Sequence, residues 1–190
     1  MKIIAITGKA QTGKGAVSEI LAYHLRMNGK KVIVVPTYLS ILDELFYDYL
    51  NYNVEYSQYF FNKESIREKL QEIGDVMNDW SSVLKETLKT IVAYEECLDF
   101  DYIILDSWRS TDEFCNLNSY CDDNNFSVPH LIQVISDRDG IKGSGLEHHK
   151  SEGDVTDWPE ALVSTVTNNK STSYAELSMK IEHLTQTHVI

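Results

Sequence analysis

Glycines at 8 and 13 with lysine at 14 give the spacing Gly-x-x-x-x-Gly-Lys inside Gly8-Lys9-Ala10-Gln11-Thr12-Gly13-Lys14-Gly15. Glycine lets the backbone curl until several N–H groups face one point, and such a curl cradles phosphate oxygens. Lys14 adds a mobile point charge suited to outer phosphates. A helix beginning at that lysine would aim its positive end at the same anion. The competing reading is an ordinary strand–turn–helix junction. Against it stand the apolar run before the loop and the amphipathic pattern after it, the setting in which this motif binds nucleotide phosphates. One position departs from the motif. Gly15 stands where a Ser or Thr usually supplies a hydroxyl to Mg²⁺, so a metal would need phosphates, water and another side chain.

Other residues could complete such a site. Asp106 closes the apolar run Tyr102-Ile103-Ile104-Leu105, where it could hold Mg²⁺ directly or through water. A strand-end turn aspartate is the plain alternative. Arg109 follows, with a planar fork suited to phosphate or, more simply, to a surface pair with Asp112 or Glu113. After a further strand comes a glycine-rich, basic segment over 137–153 carrying Arg138, Lys142 and Lys150. It reads as a lid that closes over phosphates and excludes water, against the alternative of a solvated loop. His148 and His149 in it are adjacent and read as loop residues, not metal ligands. Arg67 and Gln71 are four apart and share a helix face, a pairing found on many exposed helices.

The elements that must position these residues are legible in outline. Residues 2–6 read as a buried parallel strand and 14–28 as a helix with Val17, Ile20, Leu21 and Leu25 on one face, stopped by Gly29. Val32–Val35 is a second strand ended by Pro36, which completes a βαβ unit. Three helical stripes fill the next sixty residues. Among them lies the aromatic stretch from Asn51 to Phe61, either an irregular connection packed by its own rings, which is favoured, or a wall for a base or sugar. Tyr102–Leu105 is a third strand, Leu131–Ile135 a fourth and Leu162–Val166 a fifth. Ser110-x-x-Glu113 and Ser173-x-x-Glu176 are capping boxes for two further helices, the last carrying Leu177, Ile181 and Leu184. The fold class is α/β, a parallel sheet of about five strands with helices on both faces.

Composition narrows the field. A chain of 190 residues, 43% hydrophobic and 24% charged, suits one domain with a real core. The net charge of −12 argues against nucleic acid or an anionic membrane as partner, both of which need a broad basic face. A small anionic ligand stays compatible where cations converge. Cys97, Cys115 and Cys121 show neither metal-type spacing nor a disulfide framework, and Met1 leads straight into the first strand without an export signal. A cytoplasmic protein is expected.

Taken together, the motifs resemble the deoxynucleoside monophosphate kinases of bacteriophages, a branch of the P-loop kinases. The opening loop is similar to that family's Gly-Lys-x-x-Ser-Gly-Lys. Arg67-Glu68-Lys69-Leu70-Gln71-Glu72-Ile73-Gly74 is close to its Arg-x-x-Leu-Gln-x-x-Gly, and Asp106-Ser107-Trp108-Arg109 with Asp112-Glu113 to its Asp-x-x-Arg and acidic pair. Ser151-Glu152 and Val166-Thr167-Asn168-Asn169 follow in the family's order, so the likeness spans nearly the whole chain. Asn169-Lys170 departs from the family's frequent Asp-Gly, and the lid is short of arginines.

The resemblance implies a P-loop NTPase fold over 1–190, with a helical acceptor-binding insertion at about 37–98. It also implies transfer of the γ-phosphoryl group of ATP, with Mg²⁺, to a (deoxy)nucleoside monophosphate. Gly8, Lys9, Ala10, Gln11, Thr12, Gly13, Lys14, Gly15 and Ala16 would hold ATP, with Asn168 near its adenine. Tyr38, Arg67, Gln71, Asp106 and Arg109 would hold the acceptor, and Lys14, Arg109 and Arg138 would assist transfer. The partners implied are small nucleotides, in a host cytoplasm if the chain is phage-encoded, and a homodimer is left open. Two other readings stand beside this one: a P-loop kinase for another small phosphorylated acceptor, such as an isoprenoid precursor, and a weakly catalytic nucleotide-binding module acting through a partner.

Overall fold

The computed structural model describes residues 1–37, 100–108, 114–138 and 158–187. The helical stripes between the second and third strands, the first capping box and nearly all of the lid lie outside them. The chain divides into two compact units, Met1–Pro36 with Leu98–Ile190, and Thr37–Cys97. All described elements belong to the first.

Strand β1 (Lys2–Thr7) leads through the glycine loop into helix α1 (Lys14–Met27), followed by β2 (Val32–Pro36). Then come β3 (Tyr102–Trp108), α2 (Phe114–Asp123), β4 (His130–Ile135), a single 3₁₀ turn (Glu160–Leu162), β5 (Val163–Thr167) and α3 (Tyr174–Gln186). The five strands form one sheet in the order β2-β3-β1-β4-β5, every neighbour parallel. The βαβ unit read from the sequence is therefore split, with β3 paired between β1 and β2. Edge strand β2 accommodates Pro36 at its last position, where a missing N–H costs least.

Alternation along the strands sorts the core. Ile4, Ile6, Ile104, Ile132, Val134 and Val166 pack with Val17, Ile20, Leu21 and Leu25 of α1 and Leu177 and Ile181 of α3. Ile3, Ala5, Ile103, Leu105 and Leu131 alternate with them and are equally buried, so both faces of the sheet are covered. Each such Val, Leu or Ile side chain contributes about 1.5–3 kcal/mol through its removal from water.

Helix ends follow the local sequence. At the end of α1, Gly29 has φ 76°. Its N–H bonds the Arg26 carbonyl, and the N–H of Lys30 bonds that of Leu25, the Schellman pattern that glycine favours. At the start of α3, Ser173 and Glu176 complete the expected capping box.

Each strand differs from expectation by one to three residues, and in two of them the cause is visible. β5 is shifted one residue onward, because Leu162 closes the 3₁₀ turn by bonding the Pro159 carbonyl at 2.8 Å. β3 does not end at Asp106 but runs to Trp108. Ala5 pairs with Leu105 and Thr7 with Trp108, so Ile6 alone stands against Asp106 and Ser107. That is a β-bulge, which bends one strand and re-aims its side chains. Beyond it Thr7 Oγ1 donates to the Trp108 carbonyl at 3.0 Å. The Trp108 ring is buried and meets Trp158 edge-on at 6.2 Å. The apolar run stops at Leu105, but this tertiary packing carries the strand further.

Candidate functional site

The loop after β1 is curled as its glycines suggested. Gly8 has φ 143°, Gln11 φ 61° and Gly13 φ 90°. A Cβ on Gly8 would collide with the Val134 carbonyl oxygen, and one on Gly13 with Asn168 Nδ2, so close approach as well as φ requires glycine at both. Thr12 braces the curl by donating its hydroxyl to the Lys9 carbonyl at 2.9 Å.

Lys14 folds back over the loop. Its Nζ donates to the carbonyls of Gly8 at 2.7 Å and Lys9 at 2.8 Å, and the residue is only 6% exposed. A full positive charge is thus fixed at the mouth of the curl. The N-terminus of α1 lies at the same place. Its N-cap, Gly13, offers no side-chain acceptor, and its first turn holds no acidic residue. By contrast, α3 satisfies its own N-terminus with Ser173 and Glu176. An anion at α1 would supply what a capping side chain supplies elsewhere.

Three other strand ends converge on this loop. From β3, Asp106 Oδ1 accepts from the Ser18 hydroxyl at 3.0 Å, and that hydroxyl lies equally close to the Lys14 carbonyl. A Cβ on Gly15 would stand 4.0 Å from Asp106 Oδ2, so the carboxylate faces the place left by the absent hydroxyl. From the exit of β4, Arg138 brings Nη1 to 3.9 Å from where a Cβ of Gly13 would stand. From the exit of β5, the buried amide of Asn168 donates to the Thr12 carbonyl at 2.8 Å. Crevices at the carboxyl ends of parallel strands, where strand order reverses about β1, are where such sheets bind ligands.

The structure therefore brings together Gly8, Lys9, Ala10, Gln11, Thr12, Gly13, Lys14, Gly15, Ala16, Asp106, Arg138 and Asn168. Tyr38, Arg67, Gln71, Arg109, Lys142 and Lys150 lie outside the described residues. Ser18 was missed from sequence. Its signal is the four-residue spacing from Lys14, which puts it one turn along the same helix face. Ser136 was missed too, since only the meeting of β4 and β5 gives it a role. The residues present fit a hard, oxygen-preferring cation: Asp106, steadied by Ser18, would hold Mg²⁺ through water beside the phosphates. Among the described residues no cluster of His, Cys, Asp and Glu forms a metal site of its own. Cys121 is buried, and burial first, then the charge of Asp122, pushes its thiol up to about 12, leaving it inert.

A five-stranded parallel sheet flanked by helices, with this loop between its central strand and first helix, defines the α/β P-loop NTPase fold. Among solved structures the chain is similar to the APS kinase CysC of Mycobacterium tuberculosis, solved in complex with AMPPNP and APS. Sequence identity is 15%, 97% of each chain is covered, and the TM-score is 0.52. No protein-family model and no curated protein matches the chain. No helix among the described residues is long and apolar enough to cross a membrane.

Proposed function

We propose that this protein is a P-loop kinase that moves the γ-phosphoryl group of ATP to a small phosphorylated acceptor, with a (deoxy)nucleoside monophosphate as the acceptor class. The observation that carries the reading is the Lys14 ammonium held over a glycine curl at an uncapped helix N-terminus. Arg138 and Asp106 approach that point from neighbouring strands. A kinase of similar fold solved with AMPPNP and APS supports a nucleotide donor. The monophosphate acceptor rests on the motif resemblance around Arg67, Gln71 and Arg109.

Phosphoryl transfer asks little covalent work of a protein; positioning and neutralisation of spreading charge dominate. The loop amides and Lys14 bind the donor's outer phosphates. Arg138 reaches them from the β4 exit, and Lys142 and Lys150 close over them from the lid. Mg²⁺, when bound, neutralises phosphate charge as it builds. By the resemblance, Arg67 and Arg109 would hold the acceptor phosphate, with Gln71 near its base and Tyr38 among the acceptor-binding residues.

The test is phosphotransfer from ATP across dAMP, dTMP, dGMP, dCMP, dUMP, modified pyrimidine monophosphates and small non-nucleotide phosphates. Diphosphate product from at least one nucleotide is expected. Transfer to the non-nucleotide phosphates alone would move the acceptor class. Gly15 favours a second reading, a nucleotide-binding module with little turnover. ATP-dependent stabilisation without transfer to any acceptor would establish it.

A further inference from the structure

A deliberate pair of joints ties the three loops of the site together. The Asn168 Nδ2 amide donates to the Thr12 carbonyl, beneath the curl, and the residue is only 4% exposed. Its backbone N–H bonds the Ile135 carbonyl at 2.9 Å, and its own carbonyl accepts from Ser136 Oγ at 2.7 Å. That hydroxyl oxygen in turn accepts from the Arg138 N–H at 3.2 Å. Alongside, Asp137 Oδ1 accepts from the Lys170 N–H at 2.7 Å, and the Asp137 N–H donates to Asn169 Oδ1 at 3.2 Å. The exits of β4 and β5 thus form one hydrogen-bonded block, and the Asn168 side chain joins that block to the phosphate loop. Gly13 is the counterpart of this joint, because any side chain there would strike the amide.

We infer that Asn168 is a positioning residue for the donor phosphates, not a reader of the donor's base. It fixes the curl through Thr12 and, through Ser136, holds Arg138 in the same frame. One N–H of the buried amide is spent on a main-chain carbonyl of the loop itself, so the side chain sets where the neighbouring loop amides point. The inference rests on the donor-binding half of the proposed function and reassigns one residue within it.

The experiment compares wild type with Asn168→Ala, Asn168→Asp and Ser136→Ala, measuring calorimetric affinity for inorganic tripolyphosphate, ATP and GTP. Asn168→Ala is expected to weaken all three ligands by a common factor of about ten, the loss of one buried hydrogen bond, and Asn168→Asp, which adds a negative charge beside the polyphosphate, to weaken all three by more. Ser136→Ala leaves the amide in place and is expected to act in the same direction, more weakly. A loss confined to ATP, with tripolyphosphate unchanged, would overturn the inference in favour of base reading, as would no loss at all. A second readout needs no ligand. Amide hydrogen exchange should quicken at residues 12–14 of the free Asn168 variants and stay unchanged across α3; quickening everywhere, or nowhere, would also overturn it. Should Asn168 variants fail to fold, Ser136→Ala decides by the same two readouts. A wild-type protein that binds none of the three ligands would strike the proposed function and with it the phosphate role of Asn168, while the exchange comparison would still decide whether the joint holds the curl.

Discussion

At the scale of single residues, the site is a matter of what is missing as much as what is present. Lys14 is nearly buried, and its Nζ is fixed on the Gly8 and Lys9 carbonyls at the loop that would receive a polyphosphate. Lys14→Ala is expected to lower kcat with ATP by about 10²–10³-fold, the usual loss for one preorganised charge-stabilising group, with unchanged far-ultraviolet circular dichroism. Wild-type transfer by that variant would refute the role. Gly15 is the opposite case. It sits in the first turn of a helix, and among the described residues an added Cβ would meet only Asp106 Oδ2 at 4.0 Å, an ordinary contact distance that Gly15→Ser can accept. The variant should melt about 1–2 °C higher, from better helix propensity, and need less Mg²⁺ for half-maximal transfer. A raised Mg²⁺ requirement would show that Ser18 and Asp106 already fill that place.

At the scale of elements, what could be read from the chain was whatever is written locally. Apolar period and cap chemistry disclose α1, its Gly29 stop, β1, β4 and α3 with its Ser173 box, because each signal lies within a few residues of what it specifies. The bulge at Asp106 and Ser107 has no such signal. It exists because Trp108 packs against Trp158 and Thr7 holds its carbonyl, partners 50 and 101 positions away in sequence. The place of β3 between β1 and β2, the Ser18 hydroxyl on Asp106 and the Asn168 joint were hidden for the same reason. The curled loop with Lys14 folded over it was legible from Gly8, Gly13 and Lys14 alone, whereas the frame that aims the loop was not. The local signals carry their own test. Ser173→Ala removes the acceptor for the Glu176 N–H and is expected to cost about 1 kcal/mol in urea unfolding. An unchanged midpoint would mean that the cap merely decorates a helix held by Leu177 and Ile181.

At the scale of the whole molecule, stability and pH are linked through the sheet's interior. His130 opens β4 with its Nε2 2.9 Å from Ser164 Oγ, and burial, then the charge of Lys2, lowers its pKa below the ordinary 6.5. Below pH 6.5 the unfolded chain therefore binds a proton that the folded one refuses, so stability is full above that pH and falls as the solution is acidified. His130→Gln should flatten the decline in melting temperature between about pH 7 and pH 5. A decline as steep as wild type would place its cause in the carboxylates. The sheet also carries a gauge of its own state. The Trp108 and Trp158 rings stand at 90° to each other, one at the end of the strand that bears Asp106, the other just ahead of β5. Two indoles so close couple their electronic transitions, and the sign and size of that coupling depend on the angle between them. Ligand-driven rearrangement at this end of the sheet is therefore recorded in the near-ultraviolet dichroism of the unlabelled protein, a built-in optical signal for titrating whatever the loop receives.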